Sequence, residues 1–327
     1  ISKTYCYPEI QIEIATLQNP ETVKKHMNPA AGLAVTVVMW GTMVPFIAAL
    51  LKVVDPWLLS LLRYGFAMLF LLGMLWINER RGLFAVSYNW KHMLALGASM
   101  AGFSTFYALG ILYSDPVTAA IVLTANPVVA AILSRFLYQA KLPKGFLLAL
   151  VLAVSGGIVV VRGSPQALAG NGIGFQGGEI LLLMAVSCWT WYSLKVQDWC
   201  GKYSNIRTTT ITSATAIVWL ALVWLFFLVL GDTRFEPEAL NIGPVSMLIW
   251  LSWGAAGIAI ILWHRGAAHI GVPSASLYLN LIPVVAVIVS AVLFDLRPNM
   301  YQIGGGLLVL SGVMSIQLRR LGNDKPT

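Results

Sequence analysis

Charge is scarce in this chain. Only 10% of its 327 residues are Asp, Glu, Lys or Arg, where a soluble domain carries about 25%, and that shortage excludes an ordinary soluble protein. Cysteine is scarce too. Cys6, Cys188 and Cys200 cannot make a disulfide framework, and none stands at metal-ligand spacing from another ligand. Redox and zinc chemistry therefore drop out, and neither metal nor cofactor is expected. The net charge of +8 comes from basic residues scattered through short segments, without the basic patch and interleaved aromatics that nucleic acid requires.

What is abundant is apolar sequence, at 58% of the chain. A bilayer-spanning helix needs roughly 20 mostly apolar residues, so this supply suffices for about ten. The runs are long and nearly unbroken, which excludes the weak alternating segments of a transmembrane barrel. Ten spans can be cut, at 31–53, 57–77, 92–113, 116–138, 145–161, 178–197, 208–230, 245–268, 272–294 and 299–318. With the N-terminus in the cytoplasm, 16 of the 21 lysines and arginines fall on the inner side, four on the outer side, and Arg63 inside a span. Such a bias orients a membrane chain, so both termini are expected in the cytoplasm. Residues 1–26 are polar and lack the apolar core of a secretory signal; they read as a tail or leader with no part in function. Residues 321–327 read as a C-terminal tail.

The chain also repeats itself. A shift of 156 residues superimposes Pro127-Val128-Val129-Ala130 on Pro283-Val284-Val285-Ala286, Gly110 on Gly266, and Ser155-Gly156 on Ser311-Gly312; a shift of 149 pairs Trp40 with Trp189. Residues 27–162 and 178–320 thus form two five-span halves joined by a glycine-rich linker at 163–177. Because five is odd, the second copy enters the membrane inverted, the arrangement that alternating access uses, with a binding site near the midplane between halves. The expected fold is an all-α polytopic membrane protein whose two inverted five-helix repeats surround a central cavity.

The stretch from Phe106 to Val161 and its counterpart from Ile261 to Val313 resemble the two EamA-type repeats of the drug/metabolite transporter superfamily. Both carry a small-residue turn between third and fourth spans, a proline within the fourth and a glycine-rich fifth. The tryptophan-rich spans resemble, more narrowly, the YddG-type exporters of aromatic and other amino acids. EamA repeats commonly close the fourth span with Gly-Glu, and this chain has Gln139-Ala140 and Asp295-Leu296 there. The resemblance implies a transporter of a small-molecule substrate, not an enzyme, in a bacterial inner membrane; the Ser155-Gly156-Gly157 and Gly304-Gly305-Gly306 clusters read first as sites of close helix packing and second as a dimer contact, so the chain is expected as a monomer or weak homodimer.

Several side chains could meet a substrate. Trp40 and Met43 share one face of the first span, Phe103 and Tyr107 one face of the third, and the sixth carries Ser187, Trp189 and Tyr192. The eighth offers Trp253 and His264. Aromatic walls suit apolar side chains, and ring faces attract an ammonium group. Asn126, beside Pro127, and Asn280, on the matching ninth span, could bind a carboxylate with hydroxyl help from Tyr107 and Tyr278. Pro45, Pro127 and Pro283 read first as fixed kinks and second as hinges. Trp57, Trp76, Trp90, Trp199 and Trp250 lie at span ends, where aromatics mark the membrane interface.

Intramembrane charges are few, and each is a functional candidate. Arg63 lies about six residues, or roughly 9 Å, from the outer end of its span, so it is expected to snorkel outward, with substrate access as its other role. His264 is expected to anchor a cytoplasmic span end, or else to sense pH. No Asp or Glu stands near the middle of any span. The carboxylate relay of a proton antiporter is therefore missing, as is the first-span Glu of the small cationic-drug exporters. The expectation is gradient-driven export of amino acids with large apolar or aromatic side chains, the alternative being a multidrug or other metabolite exporter. Paired basic residues for phosphate are missing, against a nucleotide-sugar exchanger, and no nucleophile and base are paired by spacing, against an intramembrane enzyme.

Overall fold

The computed structural model describes residues 29–114, 116–139, 146–163, 168, 176–231, 233–236, 238, 241–276, 278–295 and 298–323. They form ten longer helical units in sequence, with a 3-10 turn, Leu83–Ala85, between the second and third. α1 runs Pro29–Gly41 and, past Thr42, Met43–Leu50; α2 is Pro56–Glu79; α3 is Trp90–Leu112. α4 has three pieces, Pro116–Val122, a 3-10 turn Leu123–Ala125 and Asn126–Tyr138, and α5 is Phe146–Arg162. α6 is Gly178–Cys200 and α7 is Asn205–Val229. α8 joins Ile242–Ile249 to Ala259–Ile270 through a π-helical stretch, Trp250–Ile258; α9 comprises Val272–Ala275, a 3-10 turn Tyr278–Leu281 and Ile282–Phe294; α10 is Met300–Asn323. Within the described residues, α1, α2, α3, α7 and α8 are each long and apolar enough to cross a membrane.

Helix starts follow local chemistry. The Asp55 side chain accepts from the Leu58 N–H at 2.7 Å, with Pro56 at the first helical position, and Ser204 caps α7 by accepting from the Arg207 N–H at 3.1 Å. These bonds satisfy orphan N–H groups that a helix cannot fill itself. Pro127 and Pro283 also stand in first turns, of Asn126–Tyr138 and Ile282–Phe294. They therefore restart α4 and α9 after a 3-10 turn and do not kink a continuous helix, because a helix's first turn has no use for the N–H that proline lacks. The same two helices end alike. Gln139 and Asp295, 156 residues apart, both adopt φ 52° in the left-handed region, and their N–H groups return to the carbonyls of Ser134 and Ser290.

Packing between the halves is reciprocal. α1 packs on α8 and α6 on α3; α9 packs on α1 and α4 on α6; α2 lies against the π-helical stretch of α8 and α7 against α3. Other pairs join like with like, among them α2 with α7 and α5 with α10. Glycines permit the closest approaches. A Cβ added at Gly266 would fall 2.5 Å from Leu33 Cδ2, and one at Gly110 would fall 2.6 Å from Leu182 Cγ. Leu33 and Leu182 stand 149 residues apart, so each half seats the same leucine in the same glycine notch of the other. Small residues of this kind let helix backbones approach where lipid offers no hydrophobic drive.

The two ends of the bundle are tied differently. At one end Val54 and Phe235 form an isolated antiparallel bridge, with Asp55 N–H donating to the Arg234 carbonyl at 2.9 Å and Glu236 N–H to that of Val53 at 3.0 Å. At the other, Arg207 is 3% exposed and donates to Glu79 Oε2 at 2.6 and 2.8 Å, to the Leu83 carbonyl at 2.9 Å and to the Tyr88 hydroxyl at 3.1 Å. Ser204 completes this cluster on the other Glu79 oxygen.

Candidate functional site

A cavity of about 60 Å³ lies where α1, α2, α3, α4, α6, α8 and α9 converge, room for a few waters and less than a small-molecule site holds when occupied. Trp40 and Met43 line it from α1, Phe103 and Tyr107 from α3, Asn126 from α4 and Trp189 from α6. Its aromatic wall is continuous. Trp40 and Trp189 meet at 5.0 Å with planes at 86°, Phe103 lies 5.4 Å from Trp189 and 5.2 Å from Tyr107, and Trp263 lies 5.5 Å from Trp40. Edge-to-face and tilted pairs of this spacing are the favourable ones for ring quadrupoles.

Hydrogen bonds fix this wall. Trp40 Nε1 donates to the Ala255 carbonyl at 3.0 Å, and Thr36 Oγ1 reaches the Ala259 carbonyl at 3.2 Å. Both acceptors belong to the π-helical stretch or the turn after it. Its wider hydrogen-bond pattern leaves carbonyls for outside donors, as π-bulges at functional sites do. Asn126 Oδ1 accepts from Thr190 Oγ1 at 3.0 Å, which fixes its amide across α4 and α6. Trp263 Nε1 donates to Ser193 Oγ at 3.1 Å.

Arg63 also lines the cavity, and here the sequence expectation needs correction. The residue is 1% exposed and does not snorkel. The helix turns it inward among Tyr64, Phe103 and Tyr107, and its Nε and Nη1 are buried with no hydrogen-bond partner.

Other expected site residues stand elsewhere. Trp253 is 44% exposed and stacks on Phe70 at 5.7 Å, because the π-helical stretch advances the helix face and turns it away from the cavity. Ser187 is half-buried and donates to its own helix, to the Leu183 carbonyl at 2.8 Å. Tyr192 and His264 lie behind the wall. The Tyr192 hydroxyl is 3.1 Å from His264 Nε2 and 3.0 Å from Thr212 Oγ1, while His264 Nδ1 is 3.1 Å from Thr209 Oγ1. His264 is 1% exposed and so anchors no surface; both its ring nitrogens are engaged by neutral groups. Tyr278 is half-buried against the core and outside the cavity lining, and the side chains of Asn280 and Pro283 lie outside the described residues.

Pro45 lines a second depression, of about 390 Å³, with Ala48, Lys52, Leu112, Ser114 and Phe294. It opens between the ends of α1, α3 and α9, one helical turn beyond Met43. Tyr64 and Ile260 were missed as lining residues. The sequence signal for Tyr64 was present, since it adjoins the one charge inside a span, but α2 was read for charge alone.

The chain resembles known proteins along most of its length. An uncharacterized transporter of Bacillus subtilis, YyaM, is 25% identical and aligns over 77% of this chain and 81% of its own. An uncharacterized transporter of Archaeoglobus fulgidus is 24% identical over 86% of this chain and 94% of its own. A probable terminal-alkyne amino-acid exporter of Streptantibioticus cattleyicolor is 24% identical over 71% and 75%. A crystal structure with 17% identity superimposes with a TM-score of 0.61 over 88% of this chain and 97% of its own, and so shares its fold. Residues 29–162 and 176–318, the two stretches that pack reciprocally around the cavity, each match one family, and on that double match the chain belongs to the EamA-like transporter family.

Proposed function

We propose that this transporter exports amino acids with aromatic or large apolar side chains, or metabolites of similar shape, by alternating access. The observation that carries this reading is the aromatic cavity enclosed between the two matched stretches. Its walls offer ring faces to an apolar side chain, and the cavity must widen as the halves move to admit a molecule of phenylalanine's size. The relative named as a probable amino-acid exporter adds support.

The ten helical units act as ten spans, in two repeats of opposite orientation, in a bacterial cytoplasmic membrane with both termini inside. Reciprocal packing of α1 on α8 and α6 on α3 supports that inversion, because two halves related by an axis in the membrane plane must exchange their contacts. Proline restarts in α4 and α9 and the break at Thr42 in α1 supply the joints at which each half bends. Transport runs down the substrate's own gradient, since among the described lining residues no carboxylate is present to relay protons.

Counterflow of labelled phenylalanine in proteoliposomes tests this. The expected result is accumulation when the lumen holds unlabelled phenylalanine, weak exchange with alanine, and none with a cationic dye. Dye exchange without amino-acid exchange contradicts the substrate class.

A further inference from the structure

The cavity holds one charge. Among its described lining residues Arg63 alone carries a charge at neutral pH, and no carboxylate faces it. The three ion pairs among the described residues, Lys195 with Asp198, Arg207 with Glu79 and Arg234 with Glu236, leave it out. Two of its nitrogens are buried without a partner. A guanidinium removed from water without an anion or acceptors is costly to the fold, and such a group persists where a bound molecule completes it. The fork of parallel N–H donors matches a carboxylate, which takes two bonds at once.

Resting on the reading of this cavity as the transport site, we propose that Arg63 is the anion-binding residue and that the substrate is a monocarboxylate on a flat apolar body, recognised without need of an ammonium group. The surroundings fix both halves of that description. Tyr64 and Tyr107 lie near the arginine, and Phe103, Trp40 and Trp189 line the same cavity, so a carboxylate on Arg63 lays its body against the aromatic wall. No acidic side chain in the described lining pairs with an ammonium group, which finds neutral partners alone: ring faces, the Tyr64 and Tyr107 hydroxyls and an Asn126 amide already engaged by Thr190. A phosphate ester has too few partners here, because its second charge would meet no second cation. Deaminated aromatic acids are therefore substrates alongside the amino acids, and aromatic amines are not.

Calorimetric titration of the full chain in lipid nanodiscs tests this with four ligands built on one ring: phenylalanine, 3-phenylpropionate, 3-phenylpropanamide and phenethylamine. The expected result is that 3-phenylpropionate binds within about threefold of phenylalanine. The amide and the amine bind tenfold or more weaker, the scale of a charged hydrogen bond. Arg63→Gln brings 3-phenylpropionate down to the level of the amide while leaving the amide unchanged; Arg63→Lys, which keeps charge and loses the fork, falls between. Equal binding of acid and amide by the wild type overturns the proposal and leaves the aromatic cavity as the binding site. That comparison stands even if Arg63→Gln does not fold. An Arg63→Gln variant that binds the acid at full affinity also overturns it. Failure of all four ligands to bind the wild type removes the cavity reading itself, and this proposal with it.

Discussion

Trp40 and Trp189 occupy matching positions in the two repeats and touch each other, edge to face, at 5.0 Å and 86°. One comes from the first helix of each half, so the contact spans the boundary between halves. Any motion that opens the cavity at either end changes it. A pair of this kind contributes about 1 kcal/mol beyond the area it buries. Thermal unfolding of Trp40→Ala, Trp189→Ala and the double variant should therefore give a coupling of about 1 kcal/mol; additive losses contradict a direct interaction. In transport, Trp189→Phe is expected to retain most phenylalanine counterflow and Trp189→Ala to lose it.

The indole of Trp40 also serves the backbone. Trp40→Phe keeps the ring contact but leaves the Ala255 carbonyl without its donor, a loss of about 1 kcal/mol. Thr36→Val removes the neighbouring bond to the Ala259 carbonyl. Because both bonds anchor one irregular stretch of α8, the double variant should lose less than the sum of the singles. Melting temperatures in detergent check this.

Gly266→Ala places a methyl group against Leu33, and the rigid α1–α8 contact makes it cost about 1–3 kcal/mol. Leu33→Ala should restore most of the loss, and Leu182→Ala should do nothing for it. The mirror experiment at Gly110 reverses these partners. If Leu182→Ala rescues Gly266→Ala instead, the reciprocal packing is wrong.

Arg207→Gln should be among the most damaging single changes near the surface, at about 1.5–3 kcal/mol, since it leaves the partly exposed Glu79 carboxylate and the Leu83 carbonyl without their shared donor. Arg207→Lys should recover little of this, because one ammonium cannot span Glu79, Leu83 and Tyr88 together. Differential scanning fluorimetry reads both. Nearly wild-type stability for Arg207→Gln contradicts the account of this end of the bundle.

Much of the architecture was legible because it depends on composition and repetition. Apolar run lengths located the helical units, and Trp40 and Trp189 stood out through their matching positions. Phe103, Tyr107 and Met43 followed from helical periodicity, and Asn126 from its place beside Pro127. Arg63 and Trp253 were misplaced for opposite reasons. Arg63 was assigned to the surface by its distance from a span end, whereas its side chain direction is set by which face of α2 meets α3 and α8. Trp253 shared a regular helix face with its neighbours only on paper, since nine residues of π-helix shift the phase. The bond from His264 to Tyr192 and Thr209 joins three separate helices, and no spacing within one segment reveals it.

The central claim is that the cavity faces each side of the membrane in turn with substrate inside. Side-specific labelling of Ala256→Cys, in a chain whose own cysteines are replaced by serine, tests it most directly, because Ala256 lines the cavity and is 2% exposed. A membrane-impermeant thiol reagent should modify this position from the outside and, in inverted vesicles, from the inside, with phenylalanine slowing both reactions. Modification from one side alone, at a rate phenylalanine leaves unchanged, would contradict the account.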